Sequence, residues 1–184
     1  MNIEPTPLEG CILIKPAVFG DERGYFFESF NQKKFADLTG YDTVFVQDNQ
    51  SYSAKGVLRG LHLQKGSSSQ AKLVSVVKGE VLDVAVDLRA GSATYGKHFD
   101  VRLSEHNKMQ LFIPRGFAHG FVVLSEDAIF QYKCDNYYDK TAEGGIHYSD
   151  PVLAVNWILP PDQLIVSSKD MELPYLNAIG DLSF

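Results

Sequence analysis

Lys72-Leu-Val-Ser-Val-Val-Lys78-Gly79-Glu80-Val-Leu-Asp-Val-Ala-Val-Asp87 holds two short runs dominated by valine, hinged on a glycine. β-Branched side chains in runs of this length favour strands, and the Lys78-Gly79 step between them predicts a hairpin over 72–87. Working outward, the stretches 10–15, 25–30, 45–52 and 58–64 upstream repeat the pattern. So do 98–103, 110–113, 119–123 and 128–134 downstream: each is short, rich in β-branched or aromatic residues, and bounded by turn residues. Many short strands with regular turns predict an all-β chain built as a sandwich or jelly-roll barrel. Helices are expected to be few, short and peripheral. One is predicted over 31–39, with Asn31 as cap, Phe35 and Leu38 on one face and Gly40 as stop. Beyond Asp150-Pro151 the pattern weakens, and Pro160-Pro161, Asp162 and Pro174 predict loops and a short helix packed on the barrel's end. No repeat or linker interrupts the sequence, so one domain over 1–184 is expected.

The 184 residues are enough to bury a core without disulfide or metal staples. Hydrophobic residues make up 45% and charged residues 22%, a globular balance. The formal charge of −6 argues against general nucleic-acid binding, which needs a basic footprint. It is compatible with one anionic ligand held by a local group of Lys and Arg. Cys11 and Cys134 show no disulfide-framework or metal spacing and are expected as free thiols in a reducing compartment. The start MNIEPTPLEG lacks a basic region followed by an apolar one, and nowhere do 18 apolar residues run together. A cytoplasmic protein without signal peptide or membrane span is therefore expected.

Two segments carry the chemistry. Gly56-Val-Leu-Arg59-Gly60-Leu-His62-Leu-Gln64 and Pro114-Arg-Gly116-Phe-Ala-His119 resemble the two motifs of the cupin superfamily of small jelly-roll barrels. In that pattern a strand offers His-x-His, a Glu follows before a turn glycine, and a later Pro-x-Gly-x-x-His supplies the last metal ligand. Here His62 keeps the first place, Gln64 takes the second, and Lys72, seven residues before Gly79, stands where the Glu would be. An ammonium repels a cation and offers no lone pair, so no metal is expected. The substitution instead places a base beside a positive charge. Strand alternation puts His62 and Gln64 on one face. Arg59 has the opposite parity, so a shared pocket requires a bulge near Gly60 or a loop position for Arg59.

Proton abstraction beside a ketone needs a base, a group that stabilises the enolate oxygen, and an acid to return a proton. An imidazole titrating near ~6.5 suits His62 to the first role. Lys72 offers charge for the second. Tyr132 suits the third, since a phenol near ~10 is a poor base at neutral pH but a usable acid toward a carbanion-like carbon. Acid and base on opposite faces of a sugar ring invert the carbon without a cofactor. Each residue also has a plainer reading: His62 as a structural core histidine, Lys72 snorkelling outward, and Tyr132 as a core aromatic with a satisfied hydroxyl. Gly60 beside His62 and Lys72 in register favour chemistry. The imidazole needs an orienting carboxylate, and Asp83, Asp87 and Asp170 are all candidates.

Taken together, Asp21-Glu-Arg23-Gly24-Tyr-Phe26-Phe-Glu28, Gln47-Asp-Asn49-Gln-Ser51, the His62 segment, Gln70-Ala-Lys72-Leu-Val, Asp83-Val-Ala-Val-Asp87-Leu-Arg89, the His119 segment, Tyr132-Lys133 and Ser168-Lys169-Asp170 resemble the dTDP-4-dehydrorhamnose 3,5-epimerase family over essentially the whole chain. The resemblance implies cofactor-free inversion of a dTDP-linked 4-keto sugar, supplying activated L-rhamnose for polysaccharide. It implies His62 as proton acceptor held by Asp170, Tyr132 as donor and Lys72 at the enolate oxygen. Arg59 and His119 are implied at the sugar and diphosphate; Arg23, Glu28, Gln47 and Asn49 at the nucleotide, partly across the interface of a homodimer that exchanges N-terminal strands. Tyr138 is implied as an aromatic stacking on thymine, with Glu143 and Lys169 as further substrate contacts. Relatives with the same His and Tyr invert one carbon or shift the ketone. A metal-dependent oxygenase, or a non-catalytic sugar-nucleotide binder, would share the barrel.

Overall fold

The computed structural model describes residues 1–180 and 182. Its strands, in chain order, are β1 (Asn2–Pro5), β2 (Ile12–Lys15), β3 (Val18–Asp21), β4 (Gly24–Phe27), β5 (Gln47–Ala54), β6 (Val57–Gln64), β7 (Lys72–Lys78), β8 (Glu80–Asp87), β9 (His98–Ser104), β10 (Gln110–Ile113), β11 (Phe117–Val123), β12 (Asp127–Cys134), β13 (Glu143–Gly145) and β14 (Ile165–Val166). Two short α-helices, α1 (Gln32–Thr39) and α2 (Ser168–Met171), lie outside them. One sheet runs β1-β2-β10-β7-β12-β5; the second runs β13-β6-β11-β8-β9, with β14 parallel to β6. This is the all-β jelly roll with few helices that the strand pattern predicts.

Between the sheets, Val74, Val76, Leu111 and Phe130 of the first meet Val81, Ala85, Leu103 and Phe121 of the second. Outside the second sheet, Leu82, Val84, Val86 and Val122 are covered by Ile146, Leu153 and Trp157 of the C-terminal segment. Every β8 residue after Glu80 is therefore buried, which explains an apolar run almost without polar alternation. Outside the first sheet, Ile14, Leu73 and Phe112 are covered by Phe35 of α1, whose ring meets that of Phe112 edge-on at 5.1 Å. The helix begins and ends where its sequence says. The Asn31 side chain accepts from the Lys34 amide at 3.0 Å, and Gly40 turns left-handed at φ 73°.

The expected 72–87 hairpin does not form. β7 pairs with β10 and β12, while β8 pairs with β9 and β11, so the chain changes sheets at Gly79. Gly79 has φ 80°, its amide donates to Glu105 Oε1 at 2.8 Å, and a Cβ there would fall 2.1 Å from the Asp127 carbonyl. Both edges of each strand are taken by partners distant in sequence, and the turn becomes a corner of the sandwich. Other boundaries shift as well: the 10–15 strand begins at Ile12 after a left-handed Gly10, the 25–30 strand stops at Phe27, the 45–52 strand lies at Gln47–Ala54, and the 119–123 strand begins at Phe117. β1, β3, β13 and β14 had no apolar signature of their own. β3 and β4 pair only with each other and leave Phe19 and Phe26 67% and 71% exposed. Among the described residues no helix is long and apolar enough to cross a membrane.

Candidate active site

The site is built around a fault in β6. His62 stands opposite His119 of β11 and Arg59 opposite Phe121, so Gly60 and Leu61 together oppose Gly120 alone. That extra residue is a β-bulge. It reverses the parity between Arg59 and His62 and lets both line one groove with Asp170. Only glycine fits: Gly60 has φ 132°, and the backbones of β6 and β11 touch at Gly60 and Gly120.

Two histidine–aspartate pairs sit side by side across β6 and β11. His62 Nε2 lies 2.7 Å from Asp170 Oδ1, and the Gly60 amide donates to Asp170 Oδ2 at 3.3 Å. Asp170 belongs to α2, whose start is capped by the Ser167 hydroxyl accepting from the Asp170 amide at 3.1 Å. Burial pushes the Asp170 carboxyl up, but the His62 ring and the Gly60 amide outweigh it and hold it below the usual carboxylate value. An ionised carboxylate only accepts, so His62 Nε2 is the donor of this contact, the tautomer that in a neutral ring leaves the lone pair on Nδ1. His119 Nε2 lies 2.8 Å from Asp83 Oδ1, with both residues buried. Burial drives that imidazole toward the neutral form against the pull of Asp83. The three aspartates left open by the sequence thus separate. Asp170 meets His62, Asp83 meets His119, and Asp87 binds Arg89, Ser92 and Thr94 elsewhere.

The opposite sheet supplies Lys72 and Tyr132, on the paired strands β7 and β12. The ammonium stands 5.8 Å from the centre of the phenol ring. Burial lowers the Lys72 pKa, opposed by Cys134 and Asp83, and raises that of Tyr132, opposed by Arg59. The phenol therefore holds its proton at neutral pH. His62, Lys72 and Tyr132 line one cavity of about 170 Å³, together with Tyr138, Glu143 and Lys169. Glu143 and Lys169 form an ion pair that ties β13 to α2. The Gln47 side chain accepts from the Tyr138 amide at 3.1 Å and donates to Asn49 at 3.0 Å. Cys134, pushed up to about 11 by burial, is a protonated neighbour.

Arg23 and Glu28 are not part of this cavity within one chain. Arg23 is exposed at the β3–β4 turn and paired with Asp21, and Glu28 is paired with Lys34. Among the described residues no three His, Cys, Asp or Glu side chains converge on a metal position. His62 and His119 each commit Nε2 to a separate carboxylate, and Lys72 adds positive charge beside them, a donor set unfit for a cation. The role of Asp83 as partner to His119 had no separate sequence signal, because nothing local distinguishes its side chain from those of Asp87 and Asp170.

A protein-family profile described as dTDP-4-dehydrorhamnose 3,5-epimerase matches residues 5–178. The dTDP-4-dehydrorhamnose 3,5-epimerase of Escherichia coli (strain K12) is 51% identical over 179 residues, covering 97% of this chain and 96% of that protein. A crystal structure of dTDP-4-dehydrorhamnose 3,5-epimerase from Elizabethkingia anophelis superposes with a TM-score of 0.93 at 55% identity, covering 96% of this chain and 97% of that one. A dTDP-6-deoxy-D-glucose-3,5-epimerase from Legionella pneumophila, in complex with dTDP-4-keto-L-rhamnose, gives a TM-score of 0.93 at 52% identity, covering 97% and 94%.

Proposed function

The chain belongs to the dTDP-4-dehydrorhamnose 3,5-epimerase family, and from that premise we propose that it converts dTDP-4-dehydro-6-deoxy-D-glucose to dTDP-4-dehydro-L-rhamnose by inverting C3 and C5 without a cofactor. One observation carries the reading: His62 and Tyr132 reach the same cavity from opposite sheets, with Lys72 beside the phenol. His62 Nδ1 takes the proton from C3, the electron pair moves onto the C4 oxygen, and the Lys72 ammonium stabilises that enolate. Tyr132 then gives its proton to the other face of C3, and the enolate collapses to the ketone. The proton on His62 passes to solvent and the tyrosinate recovers one, so nothing is consumed. The same sequence at C5 completes the product.

Asp170 holds the ring and its tautomer. Arg59 and His119 are assigned to the sugar and diphosphate, Tyr138 to the thymine face, and Gln47, Asn49, Glu143 and Lys169 to the rest of the ligand. The unpaired β3–β4 ribbon supports a homodimer, since a two-stranded ribbon is at best marginal alone. In such a dimer Arg23 and Glu28 serve the partner's nucleotide. The protein acts in the cytoplasm.

Incubation with dTDP-4-keto-6-deoxyglucose in heavy water, followed by proton NMR, tests the reading. Deuterium is expected at both C3 and C5, and general base catalysis worth ~10²–10⁴ should vanish in His62→Ala. Exchange at one carbon only would make the protein a single-carbon epimerase. Full exchange in His62→Ala would remove His62 as the base.

A further inference from the structure

Two amide side chains, Gln64 and Gln70, line the same cavity as His62 and Lys72, and the proton transfers above use neither. Gln64 ends β6 two residues after His62 and is buried. Its Oε1 accepts the backbone N–H of Asp139 at 2.9 Å. A backbone N–H can only donate, so this contact fixes the amide: the oxygen faces the chain and the NH₂ keeps its donors. Gln70 is held the other way round. Its Nε2 donates to the backbone carbonyl of Asn136 at 2.8 Å. A carbonyl can only accept, so Gln70 Oε1 is left as an acceptor. Among the described residues neither free end has a hydrogen-bond partner, and neither is among the buried atoms left without one, so each keeps some exposure to the cavity. The cavity therefore presents one donor amide and one acceptor amide, both anchored on the segment 136–139 that carries Tyr138.

Their sequence positions place them at the sugar. Gln64 lies two residues beyond His62 on the same strand, roughly 7 Å along it, and Gln70 lies two residues before Lys72. A 4-keto-6-deoxyhexose joined through its anomeric oxygen has only two hydroxyls, at C2 and C3, of which the C3 hydroxyl is next to the ketone. A hydroxyl both donates and accepts, which suits an amide of each polarity. We infer that Gln64 and Gln70 grip the C2 and C3 hydroxyls on one side of the reacting ketone, the first as donor and the second as acceptor, and so hold C3 against His62. The inference rests on the epimerase reading and assigns to that site a sugar-selecting element separate from nucleotide binding.

Gln64→Glu and Gln64→Met together isolate the effect. The first keeps the shape and the oxygen that accepts from Asp139, but replaces the donors facing the cavity by a carboxylate oxygen and adds a negative charge beside Lys72. Gln64→Met removes the donors without adding charge, and the effect is read from the loss the two variants share. Gln70→Met removes the acceptor. The readouts are KM and kcat for dTDP-4-keto-6-deoxyglucose, the Kd of dTDP alone, and the thermal midpoint. Each variant is expected to raise KM about tenfold or more, as loss of a hydrogen bond to ligand does, with dTDP affinity within about twofold of wild type. If KM stays unchanged, or if dTDP weakens by the same factor as the sugar nucleotide, the grip is overturned. Should Gln64→Glu lower the thermal midpoint, Gln64→Met with the same split between dTDP and sugar nucleotide decides. Wild-type deuterium exchange at C3 and C5 is the control for function: its absence defeats the epimerase reading, whereas its presence with unaffected variants defeats only the grip.

Discussion

Replacing Gly60 by alanine places a methyl group 2.5 Å from Cα of Gly120, 2.9 Å from the carbonyl oxygen of His119 and 3.3 Å from the Gly120 amide nitrogen. All three are backbone atoms of the paired strand, so no side chain can swing aside. Carbon atoms prefer ~3.5–4 Å, and β6 must therefore draw back from β11 by roughly 1 Å. Holding a non-glycine residue at φ 132° adds about 1–3 kcal/mol, and the overpacking adds about 1–3 kcal/mol more. We expect Gly60→Ala to lose about 2–6 kcal/mol, and at ~2–4 °C per kcal/mol for a chain of this length the midpoint falls by roughly 4–24 °C. The same displacement moves His62 away from Asp170, and a 1 Å misplacement of a reacting group costs ~10²-fold. Gly91→Ala is the control: φ is 83° with nothing within 4 Å of the added carbon, so only the smaller backbone cost of about 1–3 kcal/mol applies and exchange should be unchanged. Urea unfolding and NMR-detected deuterium exchange at C3 and C5 measure both quantities. A Gly60→Ala protein within about 1 kcal/mol of wild type and with full exchange would refute the claim that the bulge needs glycine and that it sets the site.

Burial would raise the Asp87 carboxyl, but Arg89, Ser92 and Thr94 outweigh it and hold it at about 2. Its folded value lies below the unfolded value near ~3.9, so its stabilisation, about 2 kcal/mol, is present above pH ~4 and is lost as pH falls through about 2. Asp87→Asn should therefore be less stable at pH 7 and converge on wild type in strong acid; an equal deficit at both ends of urea titrations would contradict this. Lys72 must be protonated to stabilise an enolate, and burial lowers its pKa. Activity should thus fall with rising pH earlier than an ordinary lysine would allow, and Lys72→Met should cost ~10²–10³-fold at neutral pH; a pH–rate profile flat to the ordinary lysine range would count against it. Tyr132→Phe should slow product formation far more than the first washing-in of deuterium, and equal loss of both would remove it as the acid. Serine at Phe19 and Phe26 should shift the protein toward monomer in sedimentation velocity, since these exposed rings lie on the unpaired ribbon; an unchanged mass would place the interface elsewhere.

Local signals in the sequence were reliable where a local force decides the outcome. Asn31 and Gly40 bound α1 because a cap and a left-handed stop act within one turn. The strands were legible from composition, but their partners were not. Lys72–Asp87 reads as a hairpin because both halves are apolar, yet they are apolar because each is packed inside the sandwich with both edges paired elsewhere. Period-2 patterning carries no information about which strand lies alongside. The candidate site stood out in the sequence for a different reason: Lys72 in place of a metal ligand is anomalous on an apolar strand. The Asp170 contact was not legible from local pattern, since 108 residues separate it from His62 and Ser167, rather than Asp170, caps α2. Gln64 was visible only as a missing ligand, since the anchor at Asp139 that orients it exists only in the folded chain.

The two histidine–aspartate pairs are alike in contact distance, 2.7 and 2.8 Å, yet they are not interchangeable. The His62 side chain is 40% exposed and that of His119 7%. A base that inverts a carbon must lose the substrate proton before the next turnover, and a sealed imidazole cannot pass it to water. It would also have to bear a positive charge in a desolvated place already near Lys72, which is why burial and that charge both push His119 toward neutrality. His62, by contrast, opens onto the cavity on one side and meets Asp170 on the other. The proposed division of labour follows from solvent access: the exposed pair trades protons, while the sealed pair presents a neutral ring to the substrate. On that assignment exchange of solvent deuterium follows, because the histidine proposed as base is the one of the two that water can reach.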